Sequence, residues 1–186
     1  MSNFYLPNND LTNVYFDDLT QEEIFSIFRV ISEATGARYM SYLYENFDKK
    51  YRYAFTTNPD WQKVYVTEQR INNCHMWLNV TEAFLTTNKK SYILLWDSIK
   101  PETRKQRNIY FERTDHEIGI NGISFCSSFG SSREIIGFSP DLKTPNFQYY
   151  VSKNIDLIRN AVYQIRKKLS TSVLITKENK KLNEET

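Results

Sequence analysis

The stretch Arg70–Trp77, RINNCHMW, sets Cys74, His75 and Met76 side by side. Each can bind a soft metal or react with an oxidant, and His116 and Cys126 are the chain's other histidine and cysteine. Structural zinc takes its ligands in closely spaced pairs, and the chain has neither a C-x-x-C nor an H-x-x-x-H. On an extended chain the adjacent Cys74 and His75 would point to opposite faces. A Cys–His dyad could form from Cys74 with His116 or from Cys126 with His75, but nothing local activates either thiol. Cys126, in GISFCSS, reads as a buried strand residue, and His116 as a surface helix residue. We therefore expect no metal, no cofactor and no enzymatic centre. A thiol sensor at Cys74 would need an exposed thiol of depressed pKa.

The elements that must position these residues belong to an ordinary globular chain. Its 186 residues suffice for one domain with a sizeable core, and 40% hydrophobic with 25% charged residues exclude a disordered composition. Thirteen Tyr and twelve Phe beside only five Gly and five Pro suggest a ring-lined core or cavity. A net charge of +2 gives little steering toward nucleic acid or membrane. Two cysteines, no signal-peptide pattern and no long apolar run point to a cytoplasmic protein with no membrane contact.

Residues 1–17 read as an irregular N-terminal arm. LTQEEIFSIFRVISEATG reads as a helix, with a capping box from Thr20 to Glu23, apolar Ile24, Phe28 and Ile31, and Gly36 as its stop. ARYMSYLYENF and YRYAFTT alternate and make a hairpin. Asn58-Pro59 leads into a second helix, and residues 78–90 read as a helix followed by a polar loop. SYILLW is expected to be a buried strand, and Pro101 to open a polar helix that runs to Gly119. Asn121-Gly122 and Gly130-Ser131 flank a second hairpin. The last element, FQYYVSKNIDLIRNAVYQIRKKLS, carries Val151, Ile155, Ile158, Val162, Ile165 and Leu169 as an a/d seam. That seam can pack on the chain's own sheet or dimerise with the same helix of a second chain. The order predicts an α/β fold: an α/β/α sandwich around a mostly antiparallel five-stranded sheet, in a single domain.

Residues 18–170 resemble the autoinducer-binding domain of LuxR-type quorum-sensing transcriptional regulators. The likeness rests on LLWDSIKPETRKQRNIYFERTDHEIGINGISFCSSFGSSREIIGFS, in which Trp96, Arg104, Lys105, Gln106, Gly119, Gly122 and Gly137 take the family's positions. NPDWQKVY adds Pro59, Trp61 and Tyr65. The resemblance implies a ligand-sensing domain that encloses a small amphipathic signal and dimerises. It implies Trp61 as donor to a lactone carbonyl, with Tyr65 and Trp96 as pocket walls. A helix-turn-helix normally follows in this family, so 171–186 is expected to be a tail or the start of a missing DNA-binding domain. This chain alone is then not expected to bind DNA.

The departures carry information. Counting from Trp61, the family's Asp-Pro falls at Cys74-His75, so the carboxylate that accepts from the ligand's amide is lost. The family's Tyr-Pro is replaced by Thr57-Asn58-Pro59. A thiol is a weak acceptor, and a lost charge-assisted hydrogen bond costs about 1.5–3 kcal/mol. Tyr51, Tyr53, His75 and Ser139 could compensate. The partner is therefore expected to be a small-molecule signal, an acyl-homoserine lactone or, given the lost Asp, a different one. As a protein partner we expect a second copy or a related regulator. The alternative is a ligand-free interaction module that pairs with full-length regulators and titrates them. Arg166, Lys167, Lys168, Lys177, Lys180 and Lys181, without interleaved aromatics, read as a solvated tail.

Overall fold

The computed structural model of the chain describes residues 11–14, 16–67, 70–86, 90–141, 144 and 146–172. Helix α1 (Asp18–Thr35) follows from its period: Ile24, Phe28 and Ile31 line one face and are buried. Its cap is Asp17, not the expected Thr20–Glu23 box, because the Asp17 carboxylate already accepts from Thr20 N at 2.7 Å and from the Thr20 hydroxyl. Gly36, at φ 76°, closes the helix in the left-handed region, as the sequence implies.

Strands β2 (Tyr39–Asn46) and β3 (Tyr51–Thr56) form the first hairpin, and β5 (Ile123–Phe129) and β6 (Ser132–Ser139) the second. With β4 (Ser91–Leu95) they make the expected five-stranded antiparallel sheet. Thr12–Asn13 adds a sixth, two-residue strand, β1, parallel to β3, giving the order β1-β3-β2-β6-β5-β4. The arm is thus not irregular over its described part: Leu11, Val14 and Phe16 are buried. β4 is an edge strand and not a buried one, since Ile93 is 56% exposed and only Leu94 turns fully inward.

One face of the sheet is filled. Met40, Tyr42, Ile136 and Phe138 meet α1, α5 (Phe147–Lys153) and α6 (Ile155–Thr171) in a continuous apolar cluster. The last two helices were expected as one. Asn154 separates them, its amide donating to Tyr150 O at 2.9 Å and to Ala34 O at 3.0 Å, which pins the break to the end of α1. The a/d seam belongs to this layer. Val151, Ile158, Ile165 and Leu169 are buried against the chain's own core. Ile155 and Val162 are half-buried.

Two of the basic residues expected in a solvated tail are ion-paired. Lys168 meets Glu23 of α1, and Arg166 clasps the buried carboxylate of Glu134 on β6, with Nε at 2.9 Å. The Tyr42 hydroxyl donates to the same carboxylate, and burial pushes the phenol well above its ordinary pKa. The arm before residue 11 and the tail beyond residue 172, with Lys177, Lys180 and Lys181, lie outside the described residues. No described helix is long and apolar enough to cross a membrane.

Removing Arg166 would leave Glu134 buried with only a phenol to answer it. Because Arg166 is itself half-exposed, we expect Arg166→Met to cost about 1–3 kcal/mol rather than the full price of a deeply buried pair. Urea unfolding would measure this, and Glu134→Gln in the same chain should recover part of the loss.

Candidate ligand-binding cavity

The opposite face of the sheet is hollow. A cavity of about 430 Å³ lies between the inward side chains of β2, β3 and β6 and a cover of α2 (Pro59–Thr67), α3 (His75–Thr86) and α4 (Arg104–Asp115). Its floor is Ser41, Leu43 and Ala54, with Ile135 from β6, and its roof includes Tyr65, Cys74, Trp77 and Val80. A space of this size with mostly apolar walls and a few polar groups suits a small molecule.

Local chemistry fixes the cover. Asn58 caps α2 by accepting from Trp61 N at 3.0 Å, and its amide donates to His116 O at 3.1 Å, which ties α2 to the end of α4. A 3₁₀ turn, Arg70–Asn73, leads into α3 and is held to α4 by Arg70–Glu112 at 3.0 Å. Thr103 and Gln106 form a capping box that opens α4.

Trp96 is held on several sides. Its indole N–H donates to Ser124 Oγ at 2.8 Å. A Cβ on Gly122 would fall 2.1 Å from the Trp96 ring, and one on Gly137 would lie 3.2 Å from it. The two glycines therefore make the seat, and the Arg113 guanidinium lies over the ring at 4.4 Å from its centroid.

The candidates named from sequence divide. Tyr65, Cys74 and Trp96 line the cavity, as does Trp77. Tyr53 borders it, while its ring stacks on Tyr44 at 4.9 Å among the aromatics of the filled layer. Trp61, fully buried, does not reach the wall; it packs behind Tyr65 at 5.3 Å and against His116 at 5.2 Å. His116 is therefore half-buried, with one side of its ring against Trp61. Ser139 is buried at the end of β6, away from the lining. Cys74 and His75 do not sit on a strand: Leu78 N bonds to Cys74 O, so Cys74 stands at the cap of α3 and His75 is its first residue. Helical geometry turns Cys74 to the cavity and His75 toward Tyr110 of α4, ring centroids 6.2 Å apart.

The thiols are sequestered. Cys74 and Cys126 are both buried and unbridged, and burial pushes Cys126 up to about 12. Burial likewise raises the Tyr65 phenol well above its ordinary value, with the neighbouring Cys74 adding to the rise. Among the described residues no three His, Cys, Asp or Glu side chains gather at one point.

Two charged wall residues were missed. Glu45, on the inward face of β2, is 1% exposed; Arg133 holds its Oε2, with Nε at 2.8 Å, and its Oε1 has no hydrogen-bond partner among the described residues. Arg113 is 7% exposed, and its Nη2 likewise has none. The signals were present: Glu45 continues the alternation Tyr39, Ser41, Leu43, and Arg113 sits four residues after the buried Ile109.

The sheet is therefore covered on both faces, with the cavity on one of them. Among solved structures, the chain matches SdiA of Escherichia coli with a TM-score of 0.55 at 10% identity, over 82% of this chain and 63% of that one. It therefore spans less than two thirds of SdiA. It also matches CepR2 of Burkholderia cenocepacia, described as an N-acylhomoserine lactone dependent LuxR family transcription factor, with a TM-score of 0.52 at 10% identity, over 82% of this chain and 97% of that one. No family model matches the sequence, and no curated protein is similar to it in sequence. The likeness is one of fold, and the fold is the one expected from the sequence.

Two outcomes follow from this geometry. Gly122→Ala must displace the Trp96 ring against its hydrogen bond to Ser124; we expect a loss of about 1–3 kcal/mol by urea unfolding, with a changed Trp fluorescence spectrum. His75 is pushed down to about 4, first by burial and then by the charge of Arg113. The unfolded chain takes up its proton near pH 6.5 and the folded one only near 4. Stability from this group is complete above the upper value and is lost as pH falls through that window. His75→Leu should flatten the stability profile between pH 6.5 and 4.

Proposed function

We propose that this chain is the ligand-sensing domain of a LuxR-type transcriptional regulator and encloses a small amphipathic molecule between its sheet and α2–α4. The observation that carries this reading is the cavity of about 430 Å³ on one face of the sheet, in a fold shared with CepR2. Water leaving Leu43, Val80 and Ile135 favours an apolar chain. The polar head is assigned to the end where Tyr65, Cys74 and Trp96 converge, with Trp61 supporting Tyr65 from behind. His75, Ser139 and Tyr53 then act as structure around the site.

The signal we favour differs from a simple acyl-homoserine lactone, because Cys74 offers no carboxylate to a ligand amide. Occupancy stabilises the folded state by mass action. The ligand-free interaction module is the weaker reading, since four of the six seam residues are buried in the chain's own core. Pairing with a second chain would use other surfaces.

Native mass spectrometry of the purified protein tests the proposal by reporting retained small molecules and the mass of the assembly. An organic ligand should be retained or, when added at a hundredfold its Kd, raise the Tm by roughly 5–10 °C. A bare chain that no acyl-homoserine lactone, fatty acid or aromatic amide stabilises would sink the reading. A tightly held acyl-homoserine lactone would keep the sensor but refute the preference for another signal.

A further inference from the structure

We propose that Arg113 is the anchor for the ligand's head group and that this head group is a carboxylate. The inference rests on the sensing function proposed above and names its ligand class. Arg113 borders the cavity, is buried, and has an Nη2 with no hydrogen-bond partner among the described residues. No described carboxylate lies within ion-pair distance of it. Glu112, the adjacent acid on α4, is engaged by Arg70. What Arg113 does meet is aromatic: the Trp96 ring at 4.4 Å and the Tyr39 ring at 5.9 Å. Ring faces orient a guanidinium but do not replace a counter-charge. A buried cation left in this state is costly, and a ligand anion removes that cost when it binds.

The other charged groups of the cavity set the polarity of the site. Glu45 stands six residues from Tyr39 on β2, roughly 20 Å along the strand, and Arg133 already holds it. Arg133 is itself stacked over Trp77 at 4.6 Å. Arg52 and Lys63, which also border the cavity, have interactions of their own. The uncompensated charge therefore lies at the Tyr39–Trp96 end. One guanidinium matches a group of charge −1, and a carboxylate fits its planar fork. The apolar remainder of the ligand would run along Leu43 and Ile135 toward Val80.

The test compares dodecanoate with its neutral isostere dodecanamide by titration calorimetry on the full chain, freed of any retained ligand. We expect dodecanoate to bind at least about tenfold more tightly. In Arg113→Met that preference should vanish, and the ligand-free variant should melt at or above the wild type, whereas loss of a merely structural arginine would lower the Tm. Arg113→Gln serves the same comparison if the Met variant misfolds. Equal affinities in the wild type, or a preference that survives both substitutions, would overturn the assignment while leaving the sensing function standing. If neither probe binds and no acyl-homoserine lactone or aromatic amide stabilises the chain, the sensing function itself fails and takes this inference with it.

Discussion

A hollow of about 430 Å³ forfeits the contacts that its lining atoms would otherwise make, so packing elsewhere has to offset them. The face away from the hollow carries much of that packing. Phe28, Tyr42, Phe138 and Phe147 are fully buried beneath α1, α5 and α6, each contributing about 1.5–3 kcal/mol of burial. The Glu134–Arg166–Tyr42 cluster ties α6 to two strands of the same layer. The covering helices pack through a second cluster of buried side chains, Trp61, Ile71, Trp77, Val80, Trp96 and Ile109 among them, and are tied to one another by Asn58 with His116 and Arg70 with Glu112. Each face of the sheet thus has its own apolar cluster, and the cavity is left within the second.

Much of the fold was legible because it follows from period and punctuation. Ile24, Phe28 and Ile31 mark a helix face by themselves, and Gly36 marks its end. The alternation of Tyr39 to Tyr44 fixes a strand. Failures came where tertiary context overrides local pattern. SYILLW is apolar enough for a central strand, yet it forms an edge. Val151 to Leu169 has a coiled-coil period, but its own sheet is the nearer apolar surface. Asn154 breaks the last helix through a bond to Ala34, a residue 120 positions away.

The site was less legible for a related reason. Residue type locates Trp61 and Trp96 but does not say which one faces the void. Trp96 faces it because Gly122 and Gly137 leave room for its ring, a relation between three separate segments. Glu45 and Arg113 look like surface residues by composition. Only their alternation and helical position hint that they turn inward, and only the assembled layers show that one is paired and the other is not.

Cys74 gains meaning from that asymmetry. In the family this chain resembles, a carboxylate stands at the corresponding position and accepts from the ligand's amide. Here a neutral thiol stands there, and the Tyr65 hydroxyl is influenced by both Cys74 and the Arg113 charge, which places the two on the same end of the cavity. An acid at position 74 would neutralise Arg113 and suit a ligand that donates. On the carboxylate assignment proposed above, the missing acid and the uncompensated guanidinium together would suit that end of the cavity to a ligand that accepts. That assignment would make the replacement at Cys74 and the partnerless Nη2 of Arg113 two halves of one difference in ligand chemistry, rather than one lost contact and one unrelated buried charge.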